Sequence, residues 1–312
     1  MHKTSIRASI LLTTIFAMTC VAAGPASSKE AEKTIKKESE AKKPKKKMTA
    51  KEVAAKKARI KARLKNEIAE NKIYLEEIAA EARVYEAELG ALPYRIVKPL
   101  NYDPSKKYPL VITMHGAGGR GTDNTARAID AFKFLTTSEA RQTYPSFVIA
   151  PQCPNNAQWA NTPWGKGTYS IDKVKTSKQI RLLIETIESL KEEFSIDADR
   201  VYATGQSMGG YGCWDLIMRR PDLFAAAVPV CGAGDLNQAK NLVDLPIWCF
   251  HGDKDTIVPF AASREMDKKM KELGNKNWKY TEFAGVGHGS SKPTWNTKEL
   301  MPWIFSQKRA SK

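Results

Sequence analysis

The chain has 312 residues, 42% of them hydrophobic and 27% charged, with a net charge of +16. Ordinary glycine and proline counts exclude a collagen-like or wholly disordered chain, and a negative mean hydropathy excludes a polytopic membrane protein. Five scattered cysteines without a C-x-x-C pair argue against a disulfide scaffold or a zinc site. Residues 1–90 carry 20 Lys and Arg against 12 Asp and Glu, half of the net charge in under a third of the length.

In chain order, His2, Lys3 and Arg7 precede an uncharged run over 8–23 that is short for a bilayer span and ends in Val21-Ala22-Ala23. That is the pattern of a secretory signal peptide over 1–23, cleaved after Ala23. A lipoprotein anchor at Cys20 is the rival reading, weakened by the poor approach sequence Ala17-Met18-Thr19. Either way the protein is expected to be exported, to the periplasm or beyond. Residues 24–50 are rich in Lys, Glu, Ala and Ser and nearly free of aromatics, so they read as a basic disordered linker. The basic cluster at 42–47 either keeps the linker solvated and extended, the favoured reading, or touches anionic envelope polymers or a membrane surface.

From 51 to 90 the composition turns helical, with no glycine or proline before Gly90, which sits where a C-cap belongs. Leu64, Ile68, Asn71, Leu75, Ile78, Ala82, Tyr85 and Leu89 alternate at spacings of four and three, a heptad stripe with one polar position. Such a stripe either pairs two chains or docks on the remainder of its own chain. Asn71 resembles the polar position that fixes register in paired helices, so the expectation is a homodimer through 64–89.

From 91 to 312 the pattern is that of a single large domain. Apolar runs at 108–114, 146–150, 200–204, 226–231, 246–250 and 278–283 alternate with helical patterns at 125–136, 177–194, 208–219, 261–273 and 298–307. Strands buried on both faces read as continuous Val/Ile/Leu runs, so this order predicts an α/β domain: a mostly parallel sheet with helices on both faces. The first run leads into His115-Gly116-Ala117-Gly118-Gly119, whose Ala117 N–H is a natural donor to an oxyanion. The stretch Gly116 to Gly121 also spells the dinucleotide fingerprint. That fingerprint needs an acidic residue ending a second strand about 20 residues later, where this sequence reads as helix. No nucleic-acid partner and no cofactor are expected. The long loop at 152–176 carries Trp159 and Trp164, and together with Tyr211, Trp214 and Trp295 these are the candidate substrate pocket.

Gly205-Gln206-Ser207-Met208-Gly209 stands between a strand and a helix, the arrangement that lifts a serine hydroxyl above a sheet, with the Met208 N–H as a second oxyanion donor. A serine nucleophile needs a base. Of four histidines, His2 belongs to the signal, His115 and His251 each precede a glycine at a strand end, and His288 lies in a glycine-flanked loop after the last strand. Order and elimination select His288. The orienting acid should follow the strand at 246–250, where Asp253 and Asp255 are both possible from position alone.

Together these blocks resemble the α/β-hydrolases, in particular exported phospholipase/carboxylesterase-like proteins, predicted peptidases, polyhydroxybutyrate depolymerases and feruloyl or acetylxylan esterases. The resemblance runs from Leu92 to Trp303 through Leu92-Pro93-Tyr94-Arg95, Tyr108-Pro109-Leu110, Arg120-Gly121-Thr122-Asp123-Asn124, the Gly205–Gly212 block and His251-Gly252 to Val258-Pro259. It implies that the acid of the H-G-x-x-D-x-x-V-P pattern is Asp255, with Asp253 as fallback. It implies a serine esterase acting through an acyl-enzyme, without a metal or cofactor. A serine peptidase and a noncatalytic envelope-binding scaffold are the alternatives. Cys153, Cys213, Cys231 and Cys249 could include a disulfide after export, although buried thiols are as natural.

Overall fold

The structure is a computed structural model and describes residues 49–125 and 129–309. The expected signal peptide, Cys20, the basic cluster at 42–47 and all but the end of the linker lie outside the described residues. No helix among the described residues is long and apolar enough to cross a membrane.

Helix α1 spans Ala50–Glu77. It opens with a reciprocal cap: the Glu52 N–H donates to Thr49 Oγ1 at 3.2 Å, while the Thr49 N–H donates to Glu52 Oε2 at 2.7 Å. The helix ends twelve residues earlier than its composition predicts. Ala79 takes a left-handed φ of 53°, and the chain turns into strand β1, Glu81–Ala87, which pairs antiparallel with β2, Gly90–Val97. Gly90 is therefore not a helix cap. It closes a hairpin at φ 127°, where a Cβ would also lie 2.2 Å from Lys178 Nζ. Helix-favouring Glu and Ala are overridden here by pairing to a strand whose Leu92 and Ile96 are fully buried.

Eight strands form one sheet in the order β1-β2-β4-β3-β5-β6-β7-β8. Beyond the hairpin these are β3 (Tyr108–Met114), β4 (Phe147–Pro151), β5 (Ile196–Gln206), β6 (Ala226–Val230), β7 (Ile247–Gly252) and β8 (Trp278–Phe283). The pairings β1–β2 and β2–β4 are antiparallel and the others parallel. The strand period of two divides the core between two faces. Leu110, Ile112, Phe147 and Ile149 point to one face, covered by α4 (Lys178–Glu193), α5 (Met208–Arg219) and α6 (Ala261–Glu272). Val111, Val148 and Ala150 point to the other, covered by α2 (Asp130–Leu135), α7 (Ser291–Trp295), α8 (Leu300–Ser306) and the end of α1. The remaining short helix, α3, spans Ser138–Thr143.

The heptad stripe is thus divided between a helix and a hairpin. Leu75, 3% exposed, packs with Phe132, Leu135 and Trp295, and Ile78 lies half-buried beside it. Tyr85 and Leu89 pack against the opposite face from within the hairpin. Residues 64–89 do not form the single helical face that a paired seam requires, so the expected route to a homodimer is lost and the docking alternative holds for Leu75 and Ile78.

Two outcomes follow for the arm. Leu75→Ala should cost about 2–3 kcal/mol in chemical denaturation, the usual toll for deleting a buried leucine side chain. A chain beginning at Ala91, which lacks β1 and Leu75, should aggregate or melt well below one beginning at Thr49. Equal melting temperatures would show that the arm's packing contributes nothing.

Candidate active site

The parallel strands end on one edge, and the loops after β5, β7 and β8 carry Ser207, Asp255 and His288. Ser207 occupies the one-residue turn between β5 and α5 with φ 56° and ψ −118°, a conformation that L-residues seldom adopt. The glycines around it are required by close approach. A Cβ on Gly209 would lie 2.1 Å from the Met114 carbonyl oxygen, and one on Gly205 2.2 Å from the oxygen of Gly209. The Ser207 N–H donates to the Val230 carbonyl at 3.0 Å, and its own carbonyl accepts from the Tyr211 N–H at 3.0 Å.

Ser207 Oγ lies 2.7 Å from His288 Nε2, and His288 Nδ1 lies 2.7 Å from Asp255 Oδ2. Of the two acids that spacing left open, Asp255 meets the imidazole. Asp253 instead accepts from the Gly285 N–H at 2.7 Å and braces the turn that leads to His288. Asp255 Oδ1 accepts from the N–H groups of Ile257 and Val258 at 2.8 and 3.0 Å. Burial works to raise the Asp255 pKa, but the bonds from His288, Val258 and Ile257 outweigh it and hold the carboxyl below its ordinary value.

His251 is fully buried against the same carboxylate, its Nε2 at 3.2 Å from Asp255 Oδ2 and its Nδ1 at 2.8 Å from Ser263 Oγ. Burial lowers its pKa, against the pull of Asp255. This second imidazole was legible only as a turn residue, because nothing in the sequence spacing joins it to the acid four positions on. His115 is a structural brace: its Nε2 accepts from the Cys153 N–H at 2.9 Å.

Ala117 begins a single 3-10 turn, Ala117–Gly119, beside the serine; a methyl on the preceding Gly116 would stand 3.6 Å from Ser207 Cβ. Met208 is the first residue of α5, where N–H groups have no partner within the helix. A cleft of about 310 Å³ next to the acid is lined by Gly165, Thr256, Ile257, Pro259, Phe260 and Ala261 as well as Asp255.

The aromatic pocket is largely a core. Trp159, Trp214 and Trp295 are 0%, 1% and 3% exposed, the last on the face of the sheet formed with α2 and α8. Large rings are drawn inside by their apolar area, and Gly212 makes room for Trp159, since a Cβ there would meet its Cβ at 2.5 Å. Tyr211 is buried too, its hydroxyl donating to the carbonyls of Trp164 and Gly167 at 2.7 and 3.0 Å and so tying down the long loop. Trp164 alone of the five stays partly exposed, with the Arg120 guanidinium 5.5 Å from its ring centre.

Cys153, Cys213, Cys231 and Cys249 are all buried free thiols, so no disulfide forms among them. Burial pushes Cys153, Cys231 and Cys249 up to about 12. Cys231, Asp255 and His288 place potential metal-ligating atoms within 4.8 Å of one another. Asp255 and His288 are already joined to each other by a hydrogen bond, and burial, which raises the Cys231 pKa, disfavours the thiolate that a metal would need.

Residues 100–299 match the dienelactone hydrolase family. A probable feruloyl esterase C of Aspergillus niger is 26% identical over 220 residues, covering 66% of this chain and 74% of that one. The dipeptidyl-peptidase 5 of Porphyromonas gingivalis is 28% identical over 172 residues, of which this chain spans only 24% of the relative's length. Among solved structures, a thermostable esterase superposes with a TM-score of 0.68 at 37% identity, covering 74% of this chain and 63% of that one. The matched span includes Ser207, Asp255 and His288, and the chain belongs to the dienelactone hydrolase family, as an α/β-hydrolase of the esterase type.

Proposed function

We propose that this chain is an exported serine hydrolase that cleaves carboxylic esters through an acyl-enzyme formed on Ser207. The observation that carries the reading is the continuous chain Ser207 Oγ–His288 Nε2, His288 Nδ1–Asp255 Oδ2, with 2.7 Å at each link. Ser207 Oγ attacks the acyl carbon while its proton passes to His288 Nε2, and Asp255 holds the ring's Nδ1–H and stabilises the imidazolium. The carbonyl oxygen, now negative, is received by the N–H groups of Ala117 and Met208. Collapse breaks the ester C–O bond, and His288 returns the proton to the departing alkoxide. Water, deprotonated by the same imidazole, then releases the acid and restores Ser207.

Export rests on the signal-like composition of 1–23, and it directs the enzyme to esters found outside the cytoplasm, such as those on polysaccharides. Trp164 is the one partly exposed ring of the aromatic set and precedes Gly165 on the wall of the cleft beside Asp255, which makes it the residue offered to an acyl group with a flat face. The similarity to a dipeptidyl-peptidase favours amide hydrolysis as the second reading, and fold and triad do not separate the two bonds. Matched acetyl, feruloyl and short-peptide substrates decide between them. Turnover of peptides with no measurable ester cleavage would reject the ester assignment.

Ser207→Ala and His288→Ala should each abolish turnover, and the double variant should be little worse than either, because the residues act as one unit. Near-wild-type turnover in His288→Ala would remove the base from the mechanism.

Asp255→Asn should lose about 10⁴-fold in kcat, the effect of mispositioning the imidazole tautomer, whereas Asp253→Asn should keep most activity. The reverse ranking would move the acid to Asp253. Because the Asp255 carboxyl is held below its ordinary pKa, its ionised form stabilises the fold fully above about pH 4, and that stability is lost as pH falls through the lower folded value. In pH-dependent denaturation, the part of the stability difference between wild type and Asp255→Asn that comes from ionising the carboxyl itself should therefore be complete above about pH 5 and disappear only in stronger acid.

A further inference from the structure

Asn71 entered as the one polar position in an apolar stripe, and among the described residues its side-chain partner is a main-chain carbonyl. Asn71 is 3% exposed, and its Nδ2 donates at 2.7 Å to the carbonyl of Thr125, 54 residues away. Thr125 lies six residues beyond the Gly116–Gly119 turn. Four of the six residues from Gly116 to Gly121 are glycines, so the turn has almost no side chains with which to hold its own position.

Within it Arg120 Nε donates to the Ala117 carbonyl at 3.1 Å, and further holding groups come from outside. The Gln152 side chain, 1% exposed, donates through Nε2 to the Gly119 carbonyl at 3.1 Å and to Asp123 Oδ1 at 2.8 Å. Its Oε1 accepts from the Asn124 N–H at 2.6 Å. Asn124 stands at a left-handed φ of 53° and donates through Nδ2 to the carbonyls of Arg83 and Tyr94, at 3.0 and 2.9 Å, across the β1–β2 hairpin. Arg95 Nε closes the set by donating to the Asn124 carbonyl at 2.6 Å. Three buried carboxamides thus run from α1 through the hairpin to the residue two places beyond Ala117. A buried amide is costly when unpaired, so any shift of the turn would strand several donors together.

We propose that Asn71 and Gln152 are positioning residues for the oxyanion turn, Asn71 holding it from the N-terminal helix and Gln152 from the end of β4. The inference rests on the reading of the Ala117 N–H as an oxyanion donor. A donor of this kind must stand within about 2.7–3.1 Å of the developing charge, and a misplacement of about 1 Å is enough to cost about a hundredfold in rate.

The test compares Asn71→Leu and Gln152→Met, which keep side-chain bulk but lose the amide, with Leu75→Ala, which loosens α1 without touching the relay. Each is assayed on a short-chain p-nitrophenyl ester, with kcat expressed per active site titrated by the initial burst, well below its melting temperature. Both amide variants should lose about ten- to a hundredfold in kcat with KM changed less than about twofold, the signature of an interaction made in the transition state. Leu75→Ala should melt earlier yet keep the wild-type kcat per site. The double amide variant should fall well short of the product of the single losses, because both groups hold one turn. If Asn71→Leu does not fold, Gln152→Met decides alone. Wild-type kcat per site in the folded amide variants, or an equal loss in Leu75→Ala, overturns the proposal. An inactive wild-type protein would instead sink the esterase reading itself.

Discussion

The structure depends on one backbone-on-backbone contact, where the first turn of α5 presses against the end of β3. With the Gly209 α-carbon so close to the Met114 carbonyl that no side chain fits between them, the chain can leave β5 and enter a helix only by bending sharply at a single residue. That residue is Ser207, at a cost of about 1–3 kcal/mol for its backbone conformation. The bonds to Val230 and from Tyr211 keep it there. The same contact brings the segment following β3 alongside the serine. One steric condition therefore aims the hydroxyl, starts the helix and places the glycine turn within reach.

Around this point the polar groups are buried in pairs or larger sets. The Asp255 carboxylate faces four donors if both imidazoles present N–H groups to it, which explains how an acid 5% exposed remains ionised. A second buried acid has a different balance. Asp215 bonds to Arg219 at 2.8 Å and to the Tyr169 hydroxyl at 2.9 Å, yet burial raises its pKa despite both. Its work is mechanical: with Arg219 bonding the Val174 carbonyl at 2.9 Å, it fastens the far end of the long loop that Tyr211 holds at the near end. One carboxylate serves the imidazole and the other the scaffold, and their surroundings differ accordingly.

Much of this was readable beforehand because it follows from short-range rules. The run at 108–114 matches the observed strand residue for residue, since a strand covered on both faces must be apolar throughout; the run at 278–283 also matches, although β8 is an edge strand in which only Trp278 is buried. Ser207 stood out because its glycines are sterically compelled. What sequence could not supply was partnership at a distance. Asp253 and Asp255 are alike until the His288 loop folds onto one of them. Residues 81–89 have helical composition, and only the presence of β2 converts them. The tryptophans suggested a binding surface, but a large ring enters a core as readily as it lines a cleft. Asn71 was visible as an anomaly, while its partner, a main-chain carbonyl, leaves no trace in composition.

The hairpin that replaced the expected helix end also decides how the sheet meets its surroundings. Its outer strand, β1, leaves a row of backbone groups at the margin, a natural template for another chain to extend. That margin bears Glu81 and Arg83, engaged by Lys98 at 2.9 Å and Glu193 at 2.8 Å. At the opposite margin β8 carries Glu282, gripped by Arg264 at 2.7 Å, and Lys279 over the rings of Trp248 and Trp303. Both margins of the sheet thus carry charged side chains, a feature that discourages the pairing of a further strand.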